Sequence, residues 1–165
     1  TADRVNVDVP ALLDAARQQS EALSGGRHQF VWDIDADLTL EGAPSELASA
    51  FSNLLTNAVR YTPDEGTISV SWGRNHDGQA VYSVTDTGIG IAAEHIPRLS
   101  ERFYRVDRGR SRTAGGTGLG LAITKHIALR HGAQLVIESR LGKGSTFSLV
   151  FEAKQPATEP TGTAT

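Results

Sequence analysis

Most of what the sequence says about the fold lies in the stretch Asn53-Leu-Leu-Thr-Asn57-Ala-Val-Arg60-Tyr61-Thr62. Apolar residues recur at helical spacing in and before it and form one stripe: Leu47, Phe51, Leu54, Leu55, Ala58 and Val59. Pro44 suits a first helical turn, and Thr62 is pushed out of the α region by the proline that follows it, so a helix is predicted between them. Because residues four apart share a helical face, the two amides and the phenol align along the edge of the stripe.

The rest of the chain reads as helices and strands that do not alternate regularly. A helix after Pro10 stops at Gly25-Gly26, another is expected over 119–131, and a short one over 94–99. Period-two patterns predict strands over 30–35, 38–40, 67–73, 79–85, 135–137 and 146–151. Asp77-Gly78 predicts a hairpin turn between two of them. These elements indicate an α+β fold, a two-layer α/β sandwich in which three helices cover a mixed sheet of about five strands.

The composition is that of an ordinary folded protein, with 39% hydrophobic residues, 21% charged residues and a net charge of −3. This balance gives no general attraction to nucleic acid. Cysteine is absent, which excludes disulfides and thiolate metal sites, and no apolar run approaches the ~20 residues that span a bilayer. Because methionine is also absent, we expect a piece of a longer protein. One domain is predicted over 1–152, followed by a disordered tail over 153–165.

The polar side chains of the central helix suit a nucleotide. An amide oxygen is a hard ligand for Mg²⁺, which also relies on substrate phosphates, so Asn53 and Asn57 are candidates for a metal site. Arg60 can neutralise phosphate charge, and Tyr61 can pack on a sugar or a base. Taken alone, the helix is also compatible with amides that are solvated or that hydrogen-bond a neighbouring loop.

A second cluster, Asp86-Thr-Gly88-Ile-Gly90, follows a predicted strand. An ionised carboxylate only accepts hydrogen bonds, and the exocyclic amine of adenine only donates them, so a buried aspartate would select adenine. The glycines would let backbone approach a flat ring without a Cβ clash. The alternative is an Asx turn, in which Asp-x-Gly is common.

A third cluster is the glycine-rich run Gly115-Gly-Thr-Gly118-Leu-Gly120, which leads into the last predicted helix. Free N–H groups at a helix N-terminus bind phosphate, although the run matches neither a Walker loop nor the Rossmann fingerprint. The preceding segment predicts either a lid over a triphosphate or a solvated basic loop, because it holds five arginines: Arg102, Arg105, Arg108, Arg110 and Arg112. The five histidines have no convincing metal context and are interpreted as core or surface residues.

In their order along the chain, these motifs resemble the set found in the catalytic domain of bacterial sensor histidine kinases. The matching segments are 53–62 for the N box, 86–90 for the first glycine box, 101–105 for the F box, 116–121 for the second glycine box and 142–147 for a small later one. The resemblance covers the chain to about residue 152, and segments 24–28 and 94–107 look most like phosphate-regulon sensor kinases. It implies the Bergerat ATP-binding fold, which gyrase, the heat-shock chaperone ATPase and mismatch-repair ATPases share.

The resemblance also implies a site for ATP and Mg²⁺. Asn57 would be the metal ligand, Asp86 would bind the adenine amine, and Asn53 and Arg105 would assist catalysis. Further implied nucleotide contacts are Arg60, Tyr61, Gly88, Gly90, Tyr104, Gly116, Thr117, Gly118, Leu119, Gly120 and Thr146. Arg60 stands where the family often has lysine, which keeps the charge but alters the geometry of the phosphate contact.

Asn53 separates the functional alternatives. The related hydrolases place a glutamate here to activate water, and an amide cannot act as that base. The resemblance therefore implies a protein-histidine kinase domain that gives the γ-phosphoryl group to a histidine on a dimerisation domain outside this chain, upstream of a response regulator. The implied location is the cytoplasmic part of a bacterial inner-membrane protein, with no membrane contact by this segment. The alternatives are a self-contained ATPase of the same superfamily and a degenerate nucleotide-sensing module.

Overall fold

The computed structural model describes residues 4–99, 101 and 120–152. The α-helices are α1 (Val9–Ser24), α2 (Pro44–Tyr61) and α3 (Gly120–Arg130), and a 3₁₀ helix spans Ala93–Arg98. The strands are β1 (Val5–Val7), β2 (Gln29–Ile34), β3 (Leu40–Gly42), β4 (Thr67–Arg74), β5 (Ala80–Asp86), β6 (Ala133–Arg140) and β7 (Gly144–Phe151).

Five strands form one mixed sheet in the order β2-β4-β5-β7-β6. Strands β2 and β4 are parallel, whereas the other three neighbouring pairs are antiparallel. Strands β1 and β3 form a separate two-stranded antiparallel sheet. The predicted α+β arrangement of helices on a mixed five-stranded sheet is confirmed.

The core lies between helix α2 and the inner face of the sheet. The Phe51 ring stacks on the Tyr82 ring with centroids 4.3 Å apart, and both side chains are fully buried. The Tyr82 hydroxyl donates to the Phe51 carbonyl oxygen at 2.9 Å, which satisfies the phenol inside the core. Burying an apolar side chain of this size contributes roughly 1.5–3 kcal/mol, so this contact is one of those that fix α2 over β5.

The outer face of the sheet carries hydroxyl side chains, and none of the described helices covers them. Ser83 and Ser148 are paired across β5 and β7 with their Oγ atoms 2.8 Å apart. Thr85 and Thr146 form the next such pair, with an Oγ1–Oγ1 distance of 3.0 Å. Strand alternation therefore separates an apolar inner face from a polar outer one.

Most element boundaries agree with the sequence patterns, but those of two strands do not. Gly25 ends α1 in a left-handed conformation with φ of 61°, and Thr62 ends α2 in an extended one. The short strand expected over 38–40 is wrong: β3 begins at Leu40. Leu38 instead follows a turn at Ala36-Asp37. Its side chain is buried in the core, and its carbonyl accepts from Trp72 Nε1 at 3.0 Å. Strand β6 is longer than the predicted 135–137.

Candidate functional site

Asp86 is the last residue of β5 and is 6% exposed. Its Oδ1 accepts the backbone N–H of Gly88 at 2.8 Å and that of Ser145 at 3.3 Å. Burial raises the pKa of this carboxyl, and the two N–H donors partly offset the rise. Since no described residue donates to Oδ2, that oxygen is the acceptor the carboxylate can offer to a ligand.

The two glycines after Asp86 are required by packing against protein backbone. A Cβ on Gly88 would lie 2.6 Å from the Tyr61 carbonyl oxygen. Gly90 has a φ of 76°, and a Cβ there would meet the backbone of Arg140. The turn over 87–90 is therefore held between the end of α2 and the end of β6. Room for a flat ring was the role predicted for these glycines, and in the described structure they allow this close packing of backbone.

Helix α2 brings the polar side chains of the central stretch to the same region. Asn53 Nδ2 donates to the Gly120 carbonyl at 3.3 Å and contacts Thr124 Oγ1 at 3.4 Å, both in the first turns of α3. Asn57, one turn later, is half-buried, and its side chain makes no hydrogen bond to any described residue. Arg60 is exposed, and Tyr61 is 36% exposed. The Tyr61–Gly88 backbone contact connects this face of α2 with the Asp86 turn.

Thr146 and Asp86 line the same cleft but are not partners in the sheet. The register pairs Asp86 with Ser145, and Thr146 with Thr85 on the outer face of the sheet. Ser145 is 7% exposed, donates its backbone N–H to Asp86 and is not among the residues predicted from the sequence. The signal was present, because Phe147 belongs to the core and period-two alternation places Ser145, not Thr146, on the same face.

An open cleft of about 570 Å³ adjoins the ends of β5, β6 and β7. Asp86, Ser139, Gly144 and Ser145 contribute to its lining. Its walls include residues of both sheet faces, such as Thr146, so it runs around the edge of the sheet next to the Asp86 carboxyl. The cleft therefore adjoins Asp86, whereas the polar residues of α2 are not among its lining residues.

Six predicted site residues lie outside the described residues: Tyr104, Arg105, Gly116, Thr117, Gly118 and Leu119. Gly120 is described as the first residue of α3. The nucleotide contacts predicted for Gly120 and for the six residues outside the described ranges stay predictions. The five-arginine segment and the tail over 153–165 also fall outside that part of the chain.

Two of the histidines are buried in structural hydrogen bonds. His28 bonds the Ser24 hydroxyl at 2.8 Å and the Thr62 carbonyl at 2.7 Å. The His131 ring accepts the Ala43 N–H at 3.1 Å and bonds the Ile127 carbonyl at 2.9 Å. Within residues 4–99, 101 and 120–152, no group of three or more histidine or carboxylate side chains could hold a metal ion. No helix in those ranges has the length and hydropathy needed to cross a membrane.

Residues 42–155 match the family described as histidine kinase-, DNA gyrase B- and HSP90-like ATPases, and the chain belongs to this family. It is 53% identical over 156 residues to the phosphate regulon sensor protein PhoR of Pseudomonas aeruginosa. That match covers 94% of this chain and 35% of the relative, so the chain spans about a third of the relative's length.

Two solved structures have a similar fold. The mycobacterial sensor histidine kinase MprB matches with a TM-score of 0.77 and 25% identity, over 92% of this chain and 97% of that one. Full-length ShkA in complex with AMPPNP matches with a TM-score of 0.74 and 26% identity, over 92% of this chain and 31% of that one. The resemblance to sensor histidine kinases, and to phosphate-regulon sensors among them, is confirmed.

Proposed function

We propose that this chain binds ATP with Mg²⁺ and delivers the γ-phosphoryl group to a histidine on a dimerisation domain outside it. The observation that carries the proposal is the buried Asp86 acceptor, followed by a turn that packs against the helix bearing Asn53 and Asn57. Membership of the ATPase family supports ATP as the ligand. The similar ShkA structure is a complex with AMPPNP, an analogue of ATP, and this supports the same ligand class.

The residues around Asp86 fit an adenine ring. The carboxylate holds its Oδ1 in two backbone hydrogen bonds, which orient the group before a ligand arrives. Its other oxygen is left to accept from an exocyclic amine. Guanine presents a carbonyl oxygen at the equivalent position, and two acceptors facing each other would repel. This arrangement therefore favours adenine nucleotides.

The donor set also fits Mg²⁺. Asn57 offers one amide oxygen from a half-buried side chain that no described residue engages. Mg²⁺ keeps several waters and is bound through one or two protein oxygens plus phosphates, so a single amide suffices. When bound, the ion would neutralise phosphate charge, and Arg60 at the end of α2 would add a positive charge. Arg105 and the glycine-rich run stay predicted partners of the phosphates.

Asn53 favours transfer over hydrolysis. Its amide donates to the Gly120 carbonyl and to Thr124 Oγ1. An amide is far less basic than a carboxylate and cannot take a proton from an attacking water. A site without a base for water can still transfer a phosphoryl group when it positions the donor and neutralises charge. The phosphate-regulon sensor among the relatives supports placing a response regulator downstream. It also supports a location on the cytoplasmic side of a membrane protein.

Isothermal titration calorimetry of the chain with ATP, with and without Mg²⁺, tests the binding half of the proposal. Transfer of radiolabel from γ-³²P-labelled ATP to a separately supplied dimerisation domain of a related sensor kinase tests the second half. We expect Mg²⁺-dependent binding, transfer to the supplied histidine and no self-phosphorylation. Steady-state ATP hydrolysis without an acceptor would support the self-contained ATPase instead. Absence of ATP binding would leave a degenerate module.

A further inference from the structure

Ser139, on β6, is a hydrogen-bond hub next to the proposed adenine site. Its Oγ accepts the Ile91 N–H at 2.7 Å and donates to the Gly144 carbonyl at 3.0 Å. The same Oγ lies 2.7 Å from the Ser145 Oγ. Ser139, Ser145 and Asp86 line one cleft, and the Ser145 N–H donates to Asp86. The hub therefore joins the turn after Asp86 to the β6–β7 connection.

The hydrogens in this cluster can be assigned from chemistry alone. A hydroxyl has one proton, and a carbonyl oxygen can only accept, so the bond to Gly144 uses the Ser139 proton. In the hydrogen bond between the two hydroxyls, Ser145 must then be the donor and Ser139 the acceptor. With its single proton committed to Ser139, the Ser145 Oγ can meet a ligand only as an acceptor. Asp86 and Ser145 thus form two neighbouring acceptors on adjacent strands.

We propose that Ser139 is a positioning residue that fixes Ser145 as a hydrogen-bond acceptor and so sharpens selection of a 6-amino over a 6-oxo purine. The inference rests on the proposed nucleotide site. Without Ser139, the Ser145 hydroxyl is free to rotate and to donate to a 6-oxo group. A purely structural role, in which Ser139 only ties Ile91 to the β6–β7 connection, would weaken both kinds of purine nucleotide equally.

The test is the ratio of ATP to ITP affinity, measured by calorimetry on the folded chain. ITP differs from ATP in carrying a 6-oxo group in place of the amine. Wild type should prefer ATP, and Ser139→Ala should narrow that preference about fivefold, as expected for one hydrogen bond of ~1 kcal/mol. Ser139→Thr keeps the hydroxyl and should keep the ratio. Ser148→Ala is the matched control, because it removes a hydroxyl of the same kind from the outer face.

A double-mutant cycle makes the test specific. Ser145→Ala removes the proposed acceptor and should itself narrow the ratio, and adding Ser139→Ala to it should change nothing further. An unchanged ratio in Ser139→Ala, checked as folded by circular dichroism, would overturn the inference. If that variant does not fold, an unchanged ratio in Ser145→Ala overturns it instead. Failure of wild type to bind ATP would refute the proposed function and is distinguishable from both results.

Discussion

Replacing Asp86 by asparagine should separate ligand binding from folding. The amide oxygen of asparagine can keep the place of Oδ1, which accepts the N–H groups of Gly88 and Ser145. The NH₂ group then takes the place of Oδ2 and points a donor at the donor of adenine. A hydrogen bond to a charged group is worth ~1.5–3 kcal/mol, so we expect ATP affinity to fall by about ten- to hundredfold.

The same substitution should not cost stability. Burial disfavours the ionised carboxylate of Asp86, as its raised pKa indicates, and a neutral amide avoids that desolvation cost. Thermal unfolding should therefore give an equal or higher Tm for Asp86→Asn while calorimetry shows weakened ATP binding. Asp33→Asn, at an exposed carboxylate on β2, is the matched control and should change neither quantity. Wild-type ATP affinity in Asp86→Asn would refute the assignment of this carboxylate to the adenine amine.

Three further outcomes follow from the geometry. Because burial raises the pKa of Asp86, ATP affinity measured while the pH is lowered should begin to fall at a higher pH than an ordinary aspartate would give. Folding stability has the opposite sign: the stability contributed by protonated Asp86 is complete below its unfolded pKa and is lost as pH rises through its folded pKa. An ATP affinity that does not change with pH would contradict the assignment. Gly90→Ala should lower Tm more than Gly78→Ala, since both have positive φ but only the first would meet other backbone, and equal losses would show that the contact is unimportant. Thr124→Val should lower the free energy of unfolding in urea by ~1 kcal/mol, because it removes a buried hydroxyl that donates to the Gly120 carbonyl and accepts from Asn53. Thr124→Ser keeps the hydroxyl and should recover most of the loss.

The sequence was most informative where one physical constraint dominated. The apolar stripe predicted helix α2, and Pro44 and the proline after Thr62 predicted its two ends, as the structure confirms. The strand prediction over 38–40 was wrong because Leu38 follows a turn, packs in the core and accepts a hydrogen bond from Trp72, which is 34 residues away along the chain. Such long-range contacts leave no local pattern, so tertiary packing decided that boundary.

The site shows the same division between local and non-local information. Asp86 was identified from its turn motif, but its partner on β7 depends on register, which is set by pairing across the sheet. Alternation from the buried Phe147 places Ser145, and not Thr146, on the inner face, and the nucleotide contact of Thr146 stays a prediction. The hydrogen bonds of Ser139 could not be predicted from local sequence alone: Gly144 and Ser145 are five and six residues away, but Ile91 is 48 residues away.

Helix α2 is fixed along its whole length before any ligand arrives. At its start, Glu46 forms an ion pair with Arg130 at 3.0 Å, and this partner lowers the pKa of the Glu46 carboxyl. In its middle, Asn53 bonds the first turn of α3, and at its end Tyr61 packs on Gly88. Since an 18-residue helix held at three points behaves as a rigid rod, the placement of Asn57 relative to Asp86 follows from protein contacts. Nucleotide binding therefore does not have to bring the metal-binding and base-binding residues of the protein together. This preorganisation lowers the entropy cost of binding and so favours higher affinity.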